Sequence, residues 1–308
     1  MAWSKRLRFS HLNWLISLGE TCSLSETARL CHTTQPALSR WLKELEDDVG
    51  TPLFERHSRG LAPTAAGQLL ITYAQRMTTE VDRAEESLTA IKEGSDRMVA
   101  IGTSPASAPS FAPAAVSEFM LRQPRAKVQV HENTMDVLMQ RLALGELDLV
   151  VGRMDNYKPH ADFQNEMLYE EDLCIVSRLS HPLAQQEYLE WKDLYQYDWI
   201  VWPSGAPIRS KLDASLAQAG LKPPSYKIES NSMVTNLWLL QYTDSIAVAS
   251  DRVARHFYGR GLLVPLNLKI PKSDGAVGMV WRDSAQPDPY LSDLLESFRS
   301  TVNQDLRF

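Results

Sequence analysis

Apolar residues near the start of the chain recur at the spacing of a helix in three short segments. The segment FSHLNWLISLGE predicts a first amphipathic helix, for which Ser10 is the expected N-cap. SLSE, residues 23–26, matches the S-x-x-E capping box and predicts a second helix that runs through Cys31. Thr33 or Thr34 is placed to cap a third helix in TTQPALSRWLKELE. Three short helices, with a tight turn between the last two, predict a helix-turn-helix unit.

The third of these helices has one ordinary face and one unusual face. Leu38, Leu42 and Leu45 lie on the stripe that a helix buries in a core. The opposite stripe carries short or hydrogen-bonding side chains, unlike most solvated helices: Gln35, Pro36, Ser39, Arg40 and Lys43. Acidic residues gather only beyond this stripe, at 44–48, so an anionic partner is expected to approach the first two turns.

Turn-forming residues follow the third helix, and a long helical pattern comes next. Glycine and proline break VGTPLFERHSRGLAPTAAG, which predicts a wing or loop pair that carries Arg56, His57 and Arg59. From Thr64 the pattern is helical for some 30 residues, with the heptad spacing of a helix that packs along its length. A dimer seam is expected there, and a helix that lies on its own domain is the open alternative. The seam residues are Leu70, Ala74, Met77, Val81, Ala84, Leu88 and Ile91.

The rest of the chain alternates strand and helix patterns, as α/β domains do. Several of the strands are apolar on both faces, which suits a sheet covered by helices. Strands are predicted at 98–104, 127–132, 147–154, 172–178, 199–203, 226–230, 245–250 and 277–282. Helices are predicted at 110–123, 134–145, 207–219, 232–242 and 251–258. The predicted fold class is therefore α/β with an all-α N-terminal domain.

Composition and charge narrow the class of protein. The 308 residues suffice for two domains, and 44% hydrophobic and 23% charged residues are ordinary for a globular chain. The net charge is -6, but residues 1–63 hold eight Lys and Arg against seven Asp and Glu, a local charge of +1. No leader pattern and no apolar run of roughly 20 residues is present. Three scattered cysteines make disulfides or a metal motif unexpected, so a reducing cytoplasm is the expected compartment.

Motifs of common enzyme chemistry are missing from the sequence. It holds no GxSxG elbow, Walker loop, GxGxxG fingerprint or HExxH motif, and its seven histidines show no paired ligand spacing. Asp148 stands between apolar residues and could be a buried catalytic acid. A carboxylate that makes structural hydrogen bonds at a strand start is the preferred interpretation, because no partner base accompanies it. We expect no catalytic residue, metal or cofactor, and no enzyme.

Hydroxyl and amide groups instead gather at four turns that join a strand to a helix. Ligands of open α/β sheets bind at the carboxyl ends of strands, and helix starts favour anions. Each group could equally be a plain helix cap, but four such turns together predict a small-molecule pocket. The candidate residues are Thr103, Ser104, Ser107, Asn133, Thr134, Trp202, Ser204 and Asn231.

Some forty residues, ARLCHTTQPALSRWLKELEDDVGTPLFERHSRGLAPTAAG, resemble the N-terminal domain of LysR-type transcriptional regulators. They show the family's [ST]QPA-x-S recognition helix, then LE, G-x-x-LF-x-R and PT-x-AG. GELDLVVGR, at 145–153, matches the family's G-x-LD strand entry. The resemblance extends over the chain and implies a winged helix-turn-helix domain at 1–63, a linker and dimerisation helix at 64–94 and an effector-binding domain at 95–308. The last resembles periplasmic binding proteins, with lobe I about 95–165 and 268–308 and lobe II about 166–267.

The resemblance also implies what the chain binds. Residues implied to face the major groove are Gln35, Pro36, Ser39 and Arg40, and Thr34 before them is implied to bind DNA as well. Lys43 is expected to meet phosphate, and Arg56 and Arg59 the DNA backbone or a narrow minor groove, with a structural role as the alternative for Arg56. Expected partners are double-stranded DNA, RNA polymerase, and a small-molecule effector for which an organic or aromatic acid is the expected class. A homodimer or homotetramer is expected.

Two positions depart from the family pattern, and two other functions stay open. Thr27 replaces a common alanine of the second helix, and Ala106 stands where many members have a ligand-binding Ser or Thr. Effector contacts are therefore expected to be rearranged around Ser104 and Ser107. The alternatives are a cytoplasmic α/β solute-binding or enzymatic protein with an incidental helical N-terminus, and a regulator that has lost its response to ligand.

Overall fold

A computed structural model describes residues 3–57, 60–93, 97–155, 157–158, 162–283 and 288–303. The chain divides into two compact units. The first comprises Met1–Gly94 and the short segment Ala143–Glu146, and the second comprises Ser95–Leu142 and Leu147–Phe308. Each unit has its own apolar core, so each is described by itself.

The first unit begins with the predicted helices and a two-stranded hairpin. Its elements are α1 Trp3–Arg6, α2 Phe9–Thr21, α3 Leu24–Leu30, α4 Gln35–Val49, β1 Phe54–His57, β2 Gly60–Pro63 and α5 Ala65–Glu93. β1 and β2 pair antiparallel and form the predicted wing. The predicted N-cap of α3 is confirmed, because the Ser23 side chain accepts from the backbone N–H of Glu26 at 3.4 Å. Thr34, rather than Thr33, caps α4 and accepts from the N–H of Ala37 at 3.3 Å.

The expectation for the start of α2 was wrong. Ser10 lies inside the helix, and Arg8 holds the N-cap position. The Nδ1 atom of His11 accepts from the backbone N–H of Arg8 at 3.2 Å. Because this histidine meets the exposed donor at the helix start, the helix begins before the serine that sequence reasoning chose.

Packing of α2 against α5 divides the predicted dimer seam into two parts. Ala74 is 1% exposed and Leu70 packs beside it in the core of the first unit, so the prediction that these two form a free seam was wrong. The first turns of α5 lie on α2 instead. Met77, Val81, Ala84 and Leu88 are exposed further along the helix. The side chain of Ile91 lies outside the described residues.

Backbone contacts fix the wing to the helices around it. A Cβ on Gly67 would lie 1.9 Å from the Leu53 carbonyl oxygen, so the start of α5 approaches the wing as only glycine allows. The carboxylate of Glu46 accepts from the N–H groups of Leu53 and Phe54 at 2.7 and 3.1 Å. The Thr64 hydroxyl donates to the Pro52 carbonyl at 2.8 Å. Glu46, one of the acids that follow the stripe from Gln35 to Lys43, therefore has a structural role.

The second unit alternates strands and helices. Its first elements are β3 Met98–Thr103, α6 Phe111–Arg122, β4 Lys127–Glu132, α7 Met135–Ala143, β5 Leu149–Arg153, β6 Phe163–Glu171 and β7 Leu173–Ser177. A 3-10 helix at Pro182–Gln185 is followed by α8 Trp191–Leu194, β8 Trp199–Val201, α9 Pro207–Gln218, β9 Tyr226–Glu229 and α10 Met233–Tyr242. The last elements are β10 Ile246–Ser250, α11 Asp251–Tyr258, β11 Val264–Lys269, β12 Gly275–Arg282 and α12 Pro289–Asn303. All eight predicted strands and five predicted helices are present.

Two five-stranded sheets form two lobes in this unit. The strand orders are β4-β3-β5-β12-β6 and β11-β7-β10-β8-β9. The chain crosses from the first sheet to the second at Asp172 and returns between Lys269 and Gly275. Both lobe boundaries therefore differ from the expected ones near 165 and 267, which lie inside β6 and at β11.

Five further elements of this unit were absent from the prediction: β6, the 3-10 helix, α8, β11 and α12. β6 and β11 are edge strands of their sheets, where polar side chains alternate with apolar ones and give a weak sequence signal for a strand.

The interpretation of Asp148 as a structural carboxylate is confirmed. It accepts from the Ala100 N–H at 2.8 Å and from Arg97 at 2.7 Å.

Candidate functional site

The unusual stripe of α4 forms one exposed surface of the first unit. Gln35, Pro36, Arg40 and Lys43 are exposed and Ser39 is half-buried, while the apolar stripe of the same helix is buried. Thr34 begins the surface and is exposed as well, with its hydroxyl engaged as the helix cap. Six candidate DNA-contacting residues are thus brought together at the N-terminal half of one helix.

The wing supplies one more described candidate. Arg56 is exposed on β1, while Arg59 lies outside the described residues. Two of the acids that follow the stripe of α4 are engaged, because Glu46 binds backbone of the wing and Asp48 pairs with Arg6. Their charge is therefore partly compensated by neighbours, and Arg40 and Lys43 set the local sign of the exposed stripe.

The second unit holds a cleft of about 710 Å³ between its two sheets. Five strands end there, β3, β4 and β5 from the first sheet and β8 and β9 from the second. Six of the eight residues predicted for an effector line it: Ser104, Asn133, Thr134, Trp202, Ser204 and Asn231. The topology explains this convergence, because the carboxyl ends of these strands face the space between the lobes.

Two predicted residues lie beneath the cleft instead of lining it. The hydroxyls of Thr103 and Ser107 are 2.8 Å apart, and Ser107 also donates to the Val151 carbonyl at 3.0 Å. Both side chains are buried and fix the turn after β3. The expectation that they face the effector was therefore wrong.

Ser104 differs from Ser107 although both stand in the same turn. Its side chain lines the cleft and is 5% exposed, and its hydroxyl has no hydrogen-bond partner among the described residues. Ala106 lines the cleft as well, so the departure from the family pattern falls within the site. The hydroxyl available beside it is that of Ser104.

The polar groups of the other turns are partly oriented by the backbone. The Asn133 side-chain oxygen accepts from the N–H of Thr134 at 2.8 Å. The indole N–H of Trp202 donates to the Val248 carbonyl at 3.3 Å, which fixes the ring at the wall of the cleft. Ser232 caps α10 beside Asn231 and lines the cleft too. These contacts make a preformed polar rim around a partly apolar space.

Arg153 is one of the cleft residues that sequence reasoning missed, and the acids Glu132 and Asp136 are two others. It ends β5, is 2% exposed, and lines the cleft. Its Nε donates to Asp155 at 2.7 Å, and its Nη1 lies 3.7 Å from Glu171 without a hydrogen-bond partner among the described residues. A Cβ on Gly275 would lie 1.8 Å from Nη2, so this glycine leaves room for the guanidinium. An arginine that ends an apolar strand was the available signal.

Glu171, at the end of β6, is the second buried charged group at the junction of the lobes. It is 8% exposed, and one of its carboxylate oxygens lies 3.7 Å from Nη1 of Arg153. Burial raises the pKa of this carboxyl group to about 7, while the charges of Arg153 and Arg252 act in the opposite direction. The group therefore changes its charge near neutral pH.

Among the residues that the structure describes, no group of three or more His, Cys, Asp or Glu side chains could hold a metal ion. Within the same residues, none of the helices combines the length and the hydropathy that a membrane span requires.

Two family models match the chain. Residues 9–68 match "Bacterial regulatory helix-turn-helix protein, lysR family", and residues 92–303 match "LysR substrate binding domain". The two matched ranges cover the α4 surface and the cleft, respectively. Sequence similarity therefore extends over both candidate sites.

Relatives and solved structures are similar along most of the chain. The HTH-type transcriptional regulator GbpR of Azospirillum brasilense is 30% identical over 305 residues, which cover 98% of this chain and 89% of that protein. The HTH-type transcriptional regulator GalR of Pseudomonas putida is 29% identical and covers 95% of this chain and 74% of that protein. The structure of full-length CbnR complexed with the target DNA has a TM-score of 0.64 at 20% identity, over 96% of this chain and 100% of that chain. The last likeness concerns the fold.

The raised pKa of Glu171 predicts a pH-dependent effect of Glu171→Gln on stability. Between pH 4.5 and 7 the unfolded carboxyl loses its proton while the folded one keeps it, so wild-type stability falls over this range. Glutamine has no such titration. The free energy of unfolding of the variant relative to wild type should rise by up to about 3 kcal/mol between pH 4.5 and pH 8.

Urea unfolding of both proteins at several pH values measures this difference. Glu170→Gln is the matched control, because its exposed neighbouring carboxylate should give a difference that hardly changes with pH. A difference for Glu171→Gln that is equally constant would contradict the assignment.

Proposed function

The chain belongs to the LysR family of bacterial transcriptional regulators, and from that premise we propose that its effector is a small organic acid bound in the cleft. The protein is a DNA-binding transcriptional regulator with an effector-binding domain. The observation that carries the proposal is the pair of Ser104 and Arg153, a free buried hydroxyl and a buried guanidinium on one wall. A carboxylate accepts hydrogen bonds from both kinds of donor. The indole of Trp202 offers an apolar surface for the remainder of the molecule.

Three consecutive parts of the chain have different roles in this proposal. Residues 1–63 bind DNA, 64–94 link and dimerise, and 95–308 bind the effector, with the lobes exchanging at Asp172 and after Lys269. The exposed apolar residues Met77, Val81 and Leu88 support a homodimer seam on the later part of α5. The two DNA-binding domains of a dimer would then bind an operator with two-fold symmetry, and two dimers would form a tetramer. RNA polymerase at the bacterial promoter is the proposed further partner, which assigns the activity to the cytoplasm.

In this proposal the first two turns of α4 enter the major groove. Gln35 and Arg40 have side chains that form paired hydrogen bonds with adenine and guanine edges. Lys43 and Arg56 are placed to contact phosphate. The exposure of these side chains over a rigid, capped helix supports the proposal.

Replacing Arg40 by alanine tests the assignment to base readout. Arg40→Ala should weaken binding to the specific operator by ~1 to 3 kcal/mol and relax selectivity over unrelated DNA, because a bidentate contact to a base is lost. Gel-shift titration at fixed salt concentration measures both quantities. Arg299→Ala is a control that removes the same charge from α12, and it should leave operator affinity unchanged. Unchanged affinity and selectivity in Arg40→Ala would contradict the assignment.

The adjacent serines after β3 test the effector site. Organic acids are first screened with the full chain for those that raise its melting temperature. For an acid found in this way, Ser104→Ala should weaken binding about tenfold, the effect of one lost hydrogen bond to a charged group. Ser107→Ala should lower stability, since its network with Thr103 is cut, and should change affinity much less. Failure of every acid to stabilise the chain, or equal binding by Ser104→Ala, would contradict the proposal.

A further inference from the structure

A second cavity, of about 750 Å³, lies between α6 of the first lobe and α11 of the second. Its floor is the end of β6, at Tyr169, Glu170 and Glu171. It shares no lining residue with the cleft described above. We refer to it as the α6–α11 cavity.

The floor of the α6–α11 cavity holds buried polar groups without protein partners. The hydroxyls of Ser110 and Tyr169 lack a hydrogen bond to any described residue. Ser110 and Glu171 are each more than nine-tenths buried, and both line the cavity. Buried polar groups in folded proteins almost always have partners, so this concentration of free donors and acceptors indicates a place where a ligand bonds.

Arg252 brings a cation to the same floor. Its guanidinium lies 4.0 Å from the centre of the Tyr169 ring and 5.3 Å from that of Phe111. These two aromatic contacts hold the group in place. Its Nη1 atom is buried and has no hydrogen-bond partner among the described residues. A planar cation held by its faces leaves its N–H edge for a carboxylate.

The acids around the cavity are largely engaged elsewhere. Glu118 on α6 accepts from Arg122 and from the Ser300 hydroxyl, each at 2.6 Å. Asp251 pairs with Arg255 on α11. Glu170 and Arg260 are exposed and face solvent at the rim. Repulsion of an anion by these three carboxylates is thereby reduced. Glu171 also lies on the floor, and burial raises its pKa to about 7, so below that pH its carboxyl is neutral and does not repel an anion. Arg252, whose Nη1 atom is buried, is the cation beside it.

Part of the cavity wall is apolar. The apolar lining residues include Pro113, Ala114 and Leu121 of α6 and Val302 of α12. A ligand that fits both parts combines one charged end with a hydrocarbon body.

We propose that the α6–α11 cavity is a second ligand site, which takes a small molecule with one carboxylate and an apolar body. The carboxylate meets Arg252 and the Ser110 hydroxyl, and the body lies along Ala114 and Leu121. The site is separate from the effector cleft, so the same unit can bind a second ligand that differs from the effector.

Titration calorimetry of the full chain with phenylacetate tests the proposal, with phenylacetamide and acetate as matched probes. Phenylacetate should bind, the neutral amide should bind at least tenfold more weakly because it lacks the charge, and acetate should bind weakly because it lacks the body. Arg252→Gln should weaken phenylacetate binding at least tenfold. Ala114→Met should also weaken it at least tenfold, because the longer side chain occupies space along the apolar wall without removing a polar group.

Two further variants separate this site from the effector cleft. Arg178→Gln, which removes an arginine paired with Asp244 at a distant surface, should leave binding unchanged. Ser104→Ala should also leave the α6–α11 site intact, whatever becomes of the cleft. If circular dichroism shows that Arg252→Gln is unfolded, Ala114→Met decides alone.

Each of the following outcomes overturns the second site: no binding of phenylacetate at millimolar concentration, equal binding of acid and amide, or full binding by folded Ala114→Met. Loss of all phenylacetate binding in Ser104→Ala would also overturn it, while supporting the effector cleft. Loss in Ala114→Met with no acid ever bound in the cleft would support the second site and contradict the proposed function.

Discussion

The buried guanidinium of Arg153 is the interaction on which the two-lobed unit depends. A buried charge is tolerated only with close partners, and here they are Asp155 and, at 3.7 Å, Glu171 at the end of β6. Gly275 opens the space, so β5, β6 and β12 meet at one point. The chain leaves the first lobe directly after Glu171, and it returns to that lobe just before Gly275. The same guanidinium lines the cleft, so the element that joins the lobes is also positioned to bind what lies between them.

The DNA-binding domain, residues 1–63, is held together differently, by an apolar core and by contacts to the backbone. α4 is held by its buried stripe, by the Thr34 cap and by the bonds of Glu46 to the wing. Gly67 allows the linker helix to start against the wing. With these contacts the helix has one orientation, so the stripe from Gln35 to Lys43 is presented rigidly. Functional side chains on such a scaffold keep their geometry without support from each other.

Sequence reasoning succeeded where the signal was local and failed where distant residues decide. Capping at Ser23 and the buried stripe of α4 depend on neighbours in sequence, and both were predicted. Ser104 and Ser107 read alike, yet the turn after β3 sends one hydroxyl to the cleft and the other to Val151. The core partners of Ala74 come from α2, far along the chain, so a heptad pattern alone could not reveal its burial. Edge strands such as β6 show mixed polarity because one side meets solvent.

We propose that an acid in the cleft and DNA at residues 1–63 influence each other's binding. The operator dissociation constant measures this coupling directly. It is determined at fixed salt, with and without a saturating concentration of an acid that stabilises the protein. Coupling between two sites typically changes an affinity about 5- to 150-fold, and it acts reciprocally. The account predicts a change in this range, lost in Ser104→Ala at the same acid concentration. An operator constant that stays the same while the acid is bound would contradict it.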